Sequence, residues 1–430
     1  MPSMNNDPRS HGLWEQSAPP APTTSSLEDS IAVDVVVIGA GFTGLSAAVH
    51  LREMGVDVAV LEGEEIGFGG SGRNVGLVNA GLWMRPADVI AGLGRERGHA
   101  LIEQLGKAPG LVFGLIERYG IQCEPVRNGT LHCAVGDSGY HEIAERARQW
   151  QALGAPVCLL DSAATERKVG SDAYRGSLFD RRAGTIQPLA YVRGLASAAL
   201  RMGARIFTGT PVTSISDEQG SWRVNAREGS VRADWVIVAT NAYSSILWTA
   251  LREELVALPY FNVATRPLRP HEHAAILPER QGLWDTRKVL SSLRTDAAGR
   301  LIFGSVGALR GAGKGIHRNW SKRALARLFP KLKDVELVHE WYGQIGMTAN
   351  AIPRFHELAR NTVSISGYNG RGIAPGTSFG RDLARLAAGK IARTDIPLPV
   401  TTPQQVRLRA VREAFYEYGS EILHSFGARL

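Results

Sequence analysis

Cysteine is scarce in this chain: Cys123, Cys133 and Cys158 are the only three among 430 residues, and no C-x-x-C pair occurs. An odd, irregularly spaced set argues against a disulfide framework or a zinc site and suits a reducing compartment. Small buried hydrophobes are the simpler role for all three. No stretch approaches 18 uninterrupted apolar residues, so no segment reads as a membrane-spanning helix. The N-terminus lacks the basic-then-apolar order of a signal peptide, which makes the cytoplasm the expected location. Internal repeats are absent. The net charge of +8 is spread along the chain and gathers only around 317–333 and 407–412, without an RNA-binding module, so nucleic acid is not an expected partner. The first thirty residues, with Pro19-Pro20-Ala21-Pro22 at their centre, have too little apolar content to order themselves and read as an extended arm that Trp14 pins to the body. His271-Glu272-His273 has no third ligand at helical spacing; it reads as a polar loop beside Pro270, and no metal is expected.

What is present begins at Asp34. The apolar run Asp34-Val35-Val36-Val37-Ile38 breaks into Gly39-Ala40-Gly41-Phe42-Thr43-Gly44, continues in a helical pattern and closes with Val58-Ala59-Val60-Leu61-Glu62. This predicts a strand, a tight turn, a helix and a second, parallel strand. Gly39 permits the turn, Gly41 lets backbone approach a pyrophosphate, and Gly44 allows helix and strand to pack closely. Phe42 and Thr43 open the helix whose N-terminus holds the phosphates. Glu62, about 20 residues beyond the glycines, is positioned to accept hydrogen bonds from an adenosine ribose. A dinucleotide is implied, and an acid at Glu62 suits NAD and FAD equally.

The next segment runs Gly67-Phe68-Gly69-Gly70-Ser71-Gly72-Arg73-Asn74-Val75-Gly76-Leu77-Val78. Backbone this rich in glycine must pass close to something large and polar, and a flavin with its ribityl chain would fit. On this segment, with Ser71-Gly72-Arg73-Asn74 as its most specific piece, the chain resembles the FAD-dependent amine and amino-acid oxidoreductases of the D-amino-acid oxidase and glycine oxidase superfamily. The resemblance runs from about residue 31 to 390. It covers Thr210-Pro211-Val212-Thr213-Ser214-Ile215, expected to be a strand bordering the adenine, and Val236-Ile237-Val238-Ala239-Thr240-Asn241, which returns the chain to the cofactor. It also covers Gly367-Tyr368-Asn369-Gly370-Arg371-Gly372-Ile373, a turn leading into a helix expected over 376–390. A helix N-terminus beside the flavin would favour the negative charge of its reduced form. With three contact regions, FAD is preferred to NAD. Arg73 occupies the position where some relatives carry a histidine linked to the flavin, and the cysteines lie well before the C-terminal segment, so noncovalent FAD is expected.

The implied fold class is α/β plus antiparallel β: a Rossmann-like FAD-binding domain from 31–90, 155–245 and 340–400, with a discontinuous substrate domain of mixed sheet and helices from 91–154 and 246–339. Helices are predicted over 87–120, 141–154 and 191–203, and alternation from 256 to 339 predicts an antiparallel sheet roofing the flavin. Residues 1–30 form the arm, and 401–430 hold an amphipathic helix. There, Leu408, Val411, Phe415, Tyr418 and Ile422 recur at three- and four-residue spacing beside Arg407, Arg409 and Arg412. Such a helix is expected to pack on its own protein or on a partner subunit in preference to a membrane surface.

The resemblance implies oxidation of a C–N bond in a small amine or amino acid by hydride transfer to flavin N5, giving an imine that water hydrolyses. Gamma-glutamylated polyamines head the substrate candidates, and oxygen or an electron carrier takes the electrons. Passing electrons to a quinone, a noncatalytic flavoprotein and a flavoprotein acting on transfer RNA are the competing readings; the oligomeric state is not legible. Such chemistry needs orientation and desolvation more than a catalytic base. Pocket candidates are therefore an aromatic wall and an anchor: Tyr368, Trp284, Trp341 and Arg294, with Lys288 as a weaker cation near the flavin. For each aromatic a plain core position is the competing role, and for Arg294 a solvated strand end. Two departures from the family pattern stand out. Arg371 replaces the histidine of the usual Gly-His-Gly turn, and Asn350 stands where an acid is common.

Overall fold

The computed structural model describes residues 10–244 and 246–427. The valine-rich run at Asp34 lies in β1, Ser30–Ile38, whose last four residues are buried. A strand apolar on consecutive positions belongs at the centre of a parallel sheet with both faces covered. Accordingly β1 pairs in parallel with β2, Val58–Leu61, on one side and with Ser230–Val238 on the other. The sheet has nine strands. Its main path runs Val400–Thr401, Arg354–Ala359, Thr362–Ser366, Ser230–Val238, β1, β2, Arg205–Phe207, and the hairpin strands Ser214–Glu218 and Ser221–Asn225 branch from Ser230–Val238. The helix that follows β1, Phe42–Glu53, packs tightly on Ile373–Ala387. A Cβ at Gly380 would stand 2.4 Å from the Thr43 carbonyl oxygen, and Ser46 Oγ donates to the Thr377 carbonyl at 2.7 Å.

A second sheet of eight strands runs Leu337–Met347, Val256–Pro267, Arg300–Val306, Ser291–Thr295, Gly282–Asp285, Thr130–Cys133, Gly176–Asp180, Val157–Asp161. It is antiparallel except where Gly282–Asp285 meets Thr130–Cys133. The boundaries drawn at 155 and 340 from sequence cut across this sheet. Val157–Asp161 and Gly176–Asp180 join it through Thr130–Cys133, and Leu337–Met347 pairs along nearly its whole length with Val256–Pro267. Alternation reveals a strand and not its partner.

The 256–339 block is also less uniformly β than its alternation predicts. It contains the helix Gly313–Leu328, which buries Trp320, Ala324, Leu325 and Leu328 at helical spacing. The His271 segment is likewise a short helix, Pro270–Ala275. Glu272 there is buried and bonded to both Arg266 and Arg269, so its carboxylate serves local structure. The strand expected from Thr210 begins only at Ser214, since Thr210 N instead donates to the Glu62 carbonyl at 2.8 Å. The late helix starts at Ile373, three residues before the expected position; Pro375 is tolerated in a first turn, where its missing N–H has no partner to lose.

The described part of the N-terminal arm is ordered along the body. Trp14 is fully buried; its Nε1 donates to the Asn74 carbonyl at 2.9 Å and its ring meets Trp341 edge-on at 5.4 Å. The C-terminal helix, Arg409–Phe426, docks on the protein by its polar face, with Ser420 and His424 buried. Its apolar stripe stays in solvent, so of the two packings expected from the sequence, on its own protein or on a partner subunit, the first is not the one adopted. The reason is that Glu413, Glu417 and His424 find partners inward, turning the apolar side out.

Candidate active site

A cavity of about 640 Å³ opens at the carboxyl ends of the parallel strands, where Ile38, Leu61 and Ala239 line it, and extends beneath the second sheet to Leu258, Tyr260, Asn262, Ser292 and Ser305. Ligands of open α/β sheets bind at this end of the strands. Three backbone turns build its floor. Gly39 takes φ +107°, and a Cβ there would press on the Ala239 carbonyl at 3.0 Å. Gly44 is the tightest: its Cβ would lie 2.0 Å from the Gly39 oxygen. The turn therefore delivers the first N–H groups of Phe42–Glu53 to the cavity, where they and the helix dipole favour an anion. Glu62 closes the turn by accepting from Ala40 N at 2.7 Å and Glu64 N at 3.0 Å. Desolvation pushes its pKa up, and those N–H bonds act against the shift.

The second glycine segment is tied to the first. Ser71 Oγ accepts from Phe42 N at 3.0 Å, and Asn74 folds its side chain onto Gly70 and Ser71 carbonyls while accepting from Gly76 N at 2.8 Å. Ser71, Asn74 and Leu77 line the cavity; Gly72, Arg73 and Gly76 do not. Gly72 and Gly76 are required by packing, with Cβ positions 2.3 Å from the Gly67 oxygen and 2.1 Å from the Ile186 oxygen. The Arg73 guanidinium sits 4.6 Å from the Phe68 ring centre. The third turn brings Tyr368, Gly370, Arg371, Gly372 and Ile373 to the wall, beside Val212, Thr240 and Asn241 from other segments. Its Gly370 has φ +85°. Tyr368 OH donates to the Ile365 carbonyl at 3.0 Å and accepts from Thr43 Oγ1 at 2.8 Å, locking turn to helix.

The chemistry-bearing candidates divide. Tyr368, Trp284, Lys288 and Arg371 line the cavity. Arg371 lies between two indoles, 5.1 Å from the Trp284 ring centre and 5.6 Å from Trp83, and its Nη1 donates to the Ala80 carbonyl at 2.8 Å. Burial, and then Arg146, push its pKa down to about 9, so it remains a cation at neutral pH. Trp284 stacks on His132 at 5.0 Å, which burial keeps neutral, and the Trp284 Nε1 and Tyr260 OH are buried with no protein partner. Arg294 and Trp341 are elsewhere. Arg294 is wholly buried, donates Nη1 to the Ile186 carbonyl and faces Trp14 at 5.4 Å. Trp341 donates Nε1 to the Arg73 carbonyl at 2.8 Å. Both stitch the arm and the second sheet to the glycine segments. Asn350 caps an exposed turn through Ile352 N at 3.3 Å.

Sequence reasoning passed over Trp83, Tyr243, Tyr260, Asn262 and Gln344, all on the cavity wall. The period-two positions Leu258, Tyr260 and Asn262 carried a usable signal, because alternate strand residues share a face. Trp83 and Gln344 carried none.

The residues present fit a large dinucleotide cofactor: an anion-binding helix terminus, an acid at the end of β2, and a long cavity floored by backbone. Among the described residues no histidine or cysteine lines the cavity, in keeping with a cofactor held without a covalent bond to either. Comparison with known proteins agrees. The family model described as FAD dependent oxidoreductase (DAO) matches residues 34–386. The chain is 33% identical to the gamma-glutamylputrescine oxidoreductase of Escherichia coli over 91% of this chain and 93% of that protein. It is 30% identical to a probable oxidoreductase, OrdL, of Haemophilus influenzae over 90% of each. The crystal structure of glycine oxidase from Geobacillus kaustophilus superposes with a TM-score of 0.69 at 21% identity, covering 84% of this chain and 96% of that one. The chain belongs to the FAD-dependent oxidoreductase family of the D-amino-acid oxidase type, and is an enzyme that uses FAD to oxidise amine or amino-acid donors.

Proposed function

We propose that this enzyme oxidises the C–N bond of a small amine that carries a carboxylate away from the reacting carbon, with a gamma-glutamylated polyamine as the leading candidate, and that the resulting imine is hydrolysed by water. The observation that carries this reading is Arg371, a buried cation on the cavity wall between Trp83 and Trp284. A guanidinium so placed is suited to a bidentate grip on a carboxylate. The name of the E. coli relative, a gamma-glutamylputrescine oxidoreductase, supports the same substrate class.

In this reading the Gly39–Gly44 turn holds the pyrophosphate, Glu62 and Val212 the adenosine, and Gly370–Ile373 the ring end of FAD. Bound FAD supplies the hydride acceptor. The protein supplies position and dryness: Trp83, Trp284 and Tyr260 exclude water, and Arg371 fixes the distal end so that the amine-bearing carbon has one orientation. Among the described residues, Glu62 and Glu64 are the only carboxylates lining the cavity, and both belong to the proposed adenosine end. None of the described carboxylates is therefore placed to hold a substrate ammonium. Burial pushes the Tyr260 pKa well up, which keeps its hydroxyl a donor. The substrate must react as the neutral amine, so kcat/KM is expected to rise with pH up to the pKa of that amine.

The test is anaerobic titration of the FAD-loaded enzyme with amines matched in length, with and without a distal carboxylate, followed by admission of air. Selective bleaching of the flavin band by the carboxylate-bearing members supports the reading. Equal bleaching by plain alkylamines contradicts it.

A further inference from the structure

The C-terminal helix Arg409–Phe426 presents to solvent a stripe formed by Leu408, Val411, Phe415, Tyr418, Ile422 and Phe426, with Leu408 73% and Phe415 72% exposed. Among the described residues outside this segment, the exposed large hydrophobics are Trp83, Leu153 and Val400, none more than 46% exposed and well separated in sequence. The stripe cannot turn inward, because the opposite face is fixed. Arg310 pairs with Glu417, Glu413 accepts from Ala257 N at 2.9 Å, and Arg409 donates to the Leu255 carbonyl at 2.8 Å. His424 stacks on Trp320 at 3.7 Å, and Arg323 donates to the His424 carbonyl at 2.7 Å.

We infer that this stripe is the dimer interface of the enzyme, covered by the same helix of a second copy packed antiparallel about a two-fold axis. Size is the first argument. Counting an aromatic side chain at roughly 200 Å², the stripe exposes on the order of 800 Å² of apolar surface. That exceeds the roughly 300–600 Å² of the largest patch on a typical monomer and equals the share of about 800 Å² that each partner contributes to a standard interface. Spacing is the second. Within the helix, from Val411 to Ile422, the apolar positions advance by 4, 3 and 4 residues, the seam that receives a second helix, and Leu408 extends it just before the first turn. Ala414 and Gly419 beside it leave room for close approach, and a Cβ at Gly419 would meet open space. Charge is the third and sets the direction. Arg407 and Arg412 are exposed at the N-terminal end, where the helix dipole disfavours cations. An antiparallel copy brings its carbonyl-rich C-terminus to them, and a two-fold axis makes the relief mutual. A helix lying on a membrane carries basic residues along its length, whereas here the exposed ones among the described residues are confined to one end. The interface has a route to the active site, since His424 on the inner face stands 3.5 Å from Ser305 Oγ and Ser305 lines the cavity.

Sedimentation equilibrium of the full-length, FAD-loaded protein tests this, with Phe415→Glu and Ile422→Glu as solvent-exposed changes that leave the fold intact. The expected result is a two-chain species for the parent. Each variant should raise the dimer dissociation constant by at least about 100-fold, the size of a hot-spot loss, with the same flavin absorbance per chain. In oxidising buffer Gly419→Cys, near the proposed axis, should link to its own copy and Leu408→Cys should not; the reverse pattern overturns the antiparallel arrangement. A parent that sediments as one chain at tens of micromolar, or a dimer insensitive to both glutamates, overturns the proposal. So does a monomer that floats with phosphatidylcholine–phosphatidylglycerol vesicles unless Phe415 is changed, which would assign the stripe to lipid.

Discussion

Replacing Gly44 by alanine puts a methyl carbon 2.0 Å from the Gly39 carbonyl oxygen and 3.1 Å from Val37 Cγ1. The oxygen belongs to backbone and cannot rotate away. Relief requires the helix Phe42–Glu53 to draw back from β1 by about 1 Å, against its tight packing on Ile373–Ala387. Forced separations of this kind cost about 1–3 kcal/mol. The same movement carries the first-turn N–H groups away from the cavity, so FAD affinity should fall by one to two decades at about 1.4 kcal/mol per decade. The assay is fluorescence titration of apoprotein with FAD, alongside thermal melting with and without the cofactor. Gly110→Ala and Gly114→Ala serve as controls, since both lie in the helix Arg95–Tyr119 with no atom near the added carbon and should be neutral or stabilising by up to about 1 kcal/mol. A Gly44→Ala protein that binds FAD and melts like the parent would refute the claim that this contact sets the cofactor turn.

Three further outcomes are expected. Arg371→Met should lower kcat/KM for a carboxylate-bearing amine by roughly 10- to 100-fold, the worth of a charged hydrogen bond, while changing that for a plain alkylamine little, with Arg371→Lys recovering part; steady-state kinetics on the matched pair reads this. Arg294→Met should lower the melting temperature through loss of its bond to the Ile186 carbonyl and leave the ratio of the two substrates unchanged. His317 and His424, whose Nδ1 atoms lie 2.8 Å apart, are pushed by burial down to about 4 and about 3. Both therefore protonate more readily when the C-terminal helix is released, and its docking is fully present above pH 6.5 and weakens as pH falls from there toward 4. Hydrogen exchange over residues 409–427 should accelerate in that window and stay flat in the helix Ile373–Ala387, which packs on Phe42–Glu53 away from the C-terminal helix.

The proposed nucleotide end was readable from sequence because its requirements are local. A strand buried on both faces, glycines at three fixed offsets and an acid at the end of β2 are properties of one contiguous stretch, and the strand, turn, helix and second strand expected there are the ones formed. The proposed substrate end was less readable because it is assembled from distant segments. Trp83, Tyr260, Gln344 and Arg371 meet only after the second sheet closes over the first, and no spacing along the chain announces that. Arg294 and Trp341 show the opposite error: an arginine at a strand end and a tryptophan on a roofing strand look like pocket residues, yet both spend their donors on backbone carbonyls of Ile186 and Arg73. The C-terminal stripe was visible as periodicity, while its direction depended on which residues of the opposite face found partners. Strand pairing at Val157–Asp161 and Leu337–Met347 was hidden for the same reason.

The most direct test of the central claim is the visible spectrum of the FAD-loaded enzyme, without oxygen, during addition of a gamma-glutamylated diamine. Prompt loss of the oxidised flavin band, slowed at least tenfold in Arg371→Met, is the predicted result. A flavin band that this substrate leaves intact while a plain amine or an amino acid bleaches it would contradict the assignment of Arg371 as the anchor and of a distal carboxylate as the recognised group.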